Sequence, residues 1–322
     1  MIASTPVARW TWGDFVDGRD PVEGCLRDLL AARDVLAAHR LANGEPNVRL
    51  TVLEAGKPQR PLFQGEFDAS QPLDEVADQV RAALRPGRIG SVDARCALSG
   101  LLSGPSGEES VEGLFDLAAS ADAGFAVVDL VTYSDAWMPF DLKGRPQATV
   151  YEANASRLAA VLAELTDVLG WELDPEDPTY FGTPTGTGVV PHFEQDGTPS
   201  DSWSRYEIPR RYDVFTHAPG FGLIGYRRTA TDDVRYVPVM DDCGVLGHLW
   251  ASDAENAASF EPLDLDDEKR YRAALAWLDR LRSAHARGLS PMQALTELTD
   301  RALEDTAGPT ALTALRAQAA KG

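Results

Sequence analysis

The sequence predicts an α+β protein with a small N-terminal α-β-β-α unit. A larger domain follows, with a mostly antiparallel sheet and C-terminal helices on or beside it. Three observations predict this. Helical and strand periods follow one another as α-β-β-α over the first 90 residues, short strands with turn signals cluster after Tyr212, and apolar helical stripes recur from about Asp266 onward. At 322 residues the chain is long for one core and natural for two domains. The Ser/Gly/Pro cluster SGPSGEES (103–110) is the expected boundary, giving domains 1–104 and 105–322.

The first helix is expected over Val22–Leu41. Asp20 suits the N-cap, Pro21 the first turn and Glu23 the third position, and Leu26, Leu29, Leu30 and Leu36 make its apolar stripe. Asn43-Gly44 ends it, and Trp10, Trp12 and Phe15 are expected to pack against it. NVRLTVLE alternates at period two and reads as a half-buried strand, with a return strand over 61–67 after the Ala55–Pro58 turn. A second helix over 73–84 carries Val76, Val80 and Leu84 on one face.

Residues 111–120 read as a short helix. FAVVDLVTY (125–133) is nearly continuous in apolar and β-branched residues, so it is expected to be central and buried on both faces. A loop with Trp137 and Phe140 follows, then a helix over 150–169 with Gly170 at its end. A long Pro/Gly/Thr loop is expected over 174–203. Beyond it, YDVFTH, GLIGYRR, VRYVPVMDD and GVLGHLWAS read as strands of a meander. Helices over about 266–286 and from Pro291 complete the chain, and the Ala-rich tail is expected to fray.

The net charge is -20. A field of that sign disfavours nucleic acid and anionic membrane surfaces, and favours a basic protein partner or plain solubility. No apolar run approaches the roughly 20 residues that span a bilayer. The N-terminus lacks a basic region followed by an apolar one, so no secretory signal is expected. Three widely spaced cysteines predict no disulfide framework and a cytoplasmic setting, with Cys25 and Cys96 as core residues.

Several chemistries are weighed by motif. The chain has no HxxxH, HExxH or CxxC, so no metal or other cofactor is expected. There is no GxSxG elbow, and GTPTGTG lacks the Lys-Ser/Thr end of a phosphate loop. Cys243 with a nearby histidine is a conceivable Cys-His pair, though a structural cysteine suits the position better. Paired carboxylates are a minor alternative. Asp241 and Asp242 stand at a predicted strand end and would serve a hydrolase with His217, or with His192 or His248, if these converge.

The stretch 158–204 carries nine acids and no Lys or Arg. Arg205, Arg210, Arg211, Arg227, Arg228 and Arg235 follow it and are expected in part to neutralise it. Aromatic anchors dominate interface energies. Trp137, Tyr180, Phe181, Phe193 and Trp203, with Glu194 and Asp196 on the rim, are therefore the expected binding residues.

The segments SDAWMPFDLKGRPQ, DPTYFGTPTGTG and GHLWASDAENAASF resemble stretches of uncharacterised cytoplasmic proteins of high-GC bacteria, over about residues 125 to 290. The acidic α+β character is similar in type to immunity proteins that neutralise secreted toxins. The resemblance implies no catalytic residues. The resulting expectation is an acidic cytoplasmic binding protein, immunity- or chaperone-like, that engages a basic partner through an acidic face and the 174–203 loop. A hydrolase, or a structural protein whose terminal helices pair between chains, are the alternatives. The sequence leaves the oligomeric state open.

Overall fold

The computed structural model describes residues 1–216, 220–221, 230, 233–301 and 305–319, and the fold is α+β with mostly antiparallel sheets. It divides into two compact units, Met1–Trp203 and Ser204–Gly322. This corrects the expected boundary at 104/105. The cluster at 103–110 is the tip of a hairpin in which Gly104 pairs Gly107, which takes a left-handed φ of 109°.

The N-terminal unit runs β1 (Ala8–Phe15), α1 (Pro21–Ala38), β2 (Asn47–Glu54), β3 (Lys57–Asp68), α2 (Leu73–Ala83), β4 (Ile89–Gly104), β5 (Gly107–Asp122), β6 (Phe125–Thr132) and α3 (Ala148–Leu169). It ends with β7 (Leu173–Pro175), β8 (Gly182–Thr185) and β9 (Gly188–Pro191). Seven strands form one sheet in the order β3-β2-β4-β5-β6-β1-β7, and β8-β9 form a separate hairpin. The predicted α-β-β-α unit is therefore not a separate domain, because β2 and β3 extend the sheet that β1, β5 and β6 also build.

α1 starts as its sequence dictates. The Asp20 carboxylate accepts the Glu23 N–H at 2.9 Å, and Pro21 fills the first turn. α1 and α3 pack on one face of the sheet, against β4 and β5, and Leu26, Leu29, Leu36, Leu158, Val161 and Leu162 of the helices and Leu98 and Leu117 of these strands are all buried. Gly170 at φ 70° ends α3.

Three expectations change here. Residues 111–120 are strand, because pairing with β4 and β6 outweighs any local helical preference. β6 lies inside the sheet, but Val127 and Asp129 on its second face stay half-buried. The long loop is ordered by β7, the β8–β9 hairpin and a bridge from Phe193 to Pro199.

The second unit holds α4 (Ile208–Thr216), β10 (Asp233–Asp241), β11 (Gly244–Ser252), β12 (Ala257–Pro262), α5 (Glu268–Ala286), α6 (Pro291–Thr299), β13 (Ala307–Ala311) and α7 (Leu312–Ala319). Its sheet has the order β12-β11-β10-β13. Val237, Leu249 and Phe260 face Leu278, Leu281 and Leu295 of α5 and α6. Trp250 on the opposite face packs against Leu312 and Leu315 of α7. YDVFTH is not a strand over its described part, because Ile208, Arg211 and Phe215 recur at helical spacing and turn inward together. GLIGYRR lies outside the described residues.

Of the expected Arg block, Arg227 and Arg228 lie outside the described residues, and Arg211 makes its bonds within its own unit. Buried Arg211 pairs Glu207 at 2.8 Å and Glu268 at 2.7 Å, donates to the Leu265 carbonyl, and lies 4.4 Å over the Tyr271 ring.

Candidate interaction surface

Strand pairing puts alternate residues of the seven-stranded sheet on a second face, and among the described residues of this unit no helix covers it. One row of directly paired residues crosses all seven strands: Glu66, Arg49, Arg95, Ala118, Asp129, Thr11 and Asp174. The flanking rows place Asp93 beside Ser120 and Asp116 beside Val131.

Two of the three cations in these rows are matched, and exposed Arg9, paired with Val131, has no ion-pair partner among the described residues. Arg49 pairs Glu66 at 3.0 Å, and Arg95 pairs Asp93 at 2.5 Å. The Arg95 guanidinium is held further in its charged form by the bond to Asp93 and by the charges of Asp93, Asp129 and Asp116. The remaining acids have hydroxyl partners or none. The Thr11 hydroxyl lies 2.8 Å from Asp129 and 2.9 Å from Glu176, and donates to one at a time. The Tyr133 hydroxyl donates to Asp116 at 2.7 Å, and burial together with this carboxylate pushes Tyr133 up to about 12. Among the described residues Asp116, Asp129, Asp174 and Glu176 have no cationic partner within ion-pair distance, so the face keeps a net negative charge.

One end of this face is aromatic. Phe15, 74% exposed, meets Phe125 edge-on at 5.0 Å between centroids. The Phe125 ring lies over Gly13, where a Cβ would come within 3.1 Å of it. The expectation that Phe15 packs against α1 is corrected, whereas Trp10 and Trp12 are in the core.

The expected binding residues separate into two groups. Trp137 is buried, donates to the Thr132 hydroxyl at 2.8 Å and stacks on Phe115 at 5.5 Å. Phe181 and Trp203 are also buried, and the Trp203 N–H is tied to the Leu142 carbonyl. These three belong to the core and offer a partner no surface. Tyr180 and Phe193 are exposed, and Phe193 meets Phe140 edge-on at 6.1 Å. Glu194 accepts the Ser200 hydroxyl, and Asp196 closes a turn through the Thr198 N–H and hydroxyl, which hold its carboxyl below the usual carboxylate range.

The hydrolase candidates do not gather within either unit. Asp241 accepts the Cys243 N–H in the β10–β11 turn and pairs Arg270 at 3.3 Å, and Asp242 is exposed beside it. His248 faces Pro238 across the ladder, several pairs along the strand from Asp241. His192, in the other unit, lies 2.9 Å from the Thr179 carbonyl oxygen. His217 lies outside the described residues. Among the described residues no three His, Cys, Asp or Glu side chains are grouped to hold a metal ion.

The open face is not among the sequence expectations because those do not include β1 and β4. The usable signal was the alternation around Trp10 and Trp12, and again through Val92, Ala94, Cys96 and Leu98. No protein-family model matches this chain, and neither the curated proteins nor the solved structures gave a match of significance.

Proposed function

We propose that this chain is a cytoplasmic binding protein, of immunity or chaperone type, that holds a basic protein partner on the open face of its N-terminal sheet. The observation that carries this reading is the group of acids without cationic partners, Asp116, Asp129, Asp174 and Glu176, on the same uncovered face as the exposed Phe15–Phe125 pair. An aromatic anchor beside uncompensated charge suits a partner whose Lys and Arg side chains steer the encounter. The charge of the whole chain agrees: residues 1–203 carry 32 acids against 15 Lys and Arg, a net of -17 out of -20. No helix of the described residues is long and apolar enough to cross a membrane, and all three cysteines are free, which suits a reducing compartment. The same acidic field disfavours nucleic acid.

The test compares capture from a cell lysate by the wild-type chain, by Asp116→Asn/Asp129→Asn and by Phe15→Ser. A basic protein retained at low salt, released as salt rises and lost in both variants is the expected result. Retention that neither variant weakens would remove the open face from the proposal.

A further inference from the structure

At one end of the seven-stranded sheet the N-terminal unit forms a cleft of about 440 Å³. Its floor is the first two turns of α1, and its walls are the β2–β3 turn, the start of β4 and the β5–β6 turn. Small-molecule sites span roughly 300–1,000 Å³, so the space suits a compact ligand.

The walls are small by construction. A Cβ on Gly90 would come 2.6 Å from the Ala55 Cα, so the β2–β3 turn sits hard against β4. The opposite turn has Ala123 and Gly124 at φ 49° and 82°. Ala121 and Ala126, both buried, line the cleft where a longer apolar side chain would fill it.

The polar groups are unusual for this acidic unit. Asp28 on the floor is only 7% exposed, and burial, the largest influence on it, raises its carboxyl above the usual range against the pull of Arg19. Arg19 holds both Asp28 oxygens through Nη1 alone, at 3.2 and 2.8 Å. Its Nε and Nη2 have no bonded partner among the described residues. Arg88 on the wall likewise has no carboxylate partner among the described residues, a state it shares with Arg9, Arg85 and Arg157, but of these four it alone lines the cleft. Two acids also line the cleft. Asp20 is engaged as the cap of α1, and exposed Asp122 opposes an anion on its own side.

We propose that this cleft binds a small organic anion, with one carboxylate or phosphate group gripped by Arg19 and Arg88 and a compact apolar body against the Gly and Ala walls. The free Nε–Nη2 edge of Arg19 offers the paired donors that such groups accept. The start of α1 adds partial positive charge beside it. This site is separate from the open face and does not rest on partner binding there.

The test follows amide resonances of the full-length ¹⁵N-labelled chain during titration with benzoate, phenyl phosphate and, as a cation of similar shape, benzylamine. Saturable shifts at Gly24, Gly90 and Gly124 with at least one anion and not with benzylamine are expected. The anion that binds more tightly distinguishes carboxylate from phosphate. Arg88→Gln, an exposed position, and Arg19→Lys, which keeps a cation on Asp28, should each weaken binding about tenfold, as losing one charge-assisted hydrogen bond does. Ala121→Leu should abolish it by filling the space. The proposal is overturned if neither anion shifts these amides, if benzylamine shifts them equally, or if a chain that keeps its wild-type fold binds as well with both Arg variants.

Discussion

His248 shows how little position in the sequence says about a side chain's role. Its ring meets Tyr236 edge-on at 5.4 Å, and its Nδ1 is buried with no hydrogen-bond partner. Burial lowers its pKa, because the protonated ring would lose hydration. The folded state therefore favours neutral His248, while the unfolded chain takes up a proton near the ordinary histidine value of about 6.5. Stability from this group is complete above that value and is lost as pH falls through it towards the folded pKa. His248→Gln should make the urea midpoint fall less steeply than in wild type between about pH 7 and pH 5. Parallel slopes would show that His248 does not carry the effect. The sequence suggested that His192 and His248 could meet in one site, but each is held by neighbours of its own unit. Aromatic residues were equally hard to place. Buried Phe181 and exposed Phe193 carry the same side chain, and only packing separates them.

Legibility at the level of elements depended on contrast between the two sides of each element. α1 and α3 could be read from their stripes and ends, since caps and period are local properties. β5 could not. Its helix-facing residues Leu117, Ala119 and Ala121 alternate with Asp116, Ala118 and Ser120, and small residues on both sides blur the period. The β4–β5 hairpin is instead fixed by contacts far along the chain. A Cβ on Gly100, beside an irregularity in the pairing, would come 2.5 Å from the Leu41 carbonyl oxygen and 2.7 Å from Leu114 Cδ2. Gly100→Ala should therefore destabilise the N-terminal unit by about 1–3 kcal/mol, the usual cost of overpacking. Thermal unfolding checks this, and an unchanged midpoint would mean that the backbone yields there without cost. The open face follows from the same pairing, and so the candidate surface was hidden along with the strands that form it.

Across the whole molecule, charge is divided as unevenly as structure. Residues 204–322 carry 18 acids against 15 Lys and Arg, so nearly all the excess negative charge lies in residues 1–203. Repulsion within the N-terminal unit should ease as salt shortens the Debye length from about 14 Å near 0.05 M to about 4 Å near 0.5 M. Hydrogen exchange over that range should show protection rising more in the N-terminal unit than in the C-terminal one. An equal change in both would indicate a general effect of salt instead of relief of this repulsion.

The sequence by itself determined the class of the fold, the positions of the principal helices, the cap of α1 and the sign of the field. Each is set by composition or by periods within one segment. Tertiary structure alone decided that the unit boundary lies at 203/204, that one sheet gathers strands from residue 8 to residue 175, and that Asp116, Asp129 and Asp174 share an uncovered face. It also set Arg19 and Arg88 around one cleft. The physical reason is that strand pairing joins residues more than a hundred positions apart, and a one-residue change in register would send Asp116, Asp129 and Asp174 to the opposite face.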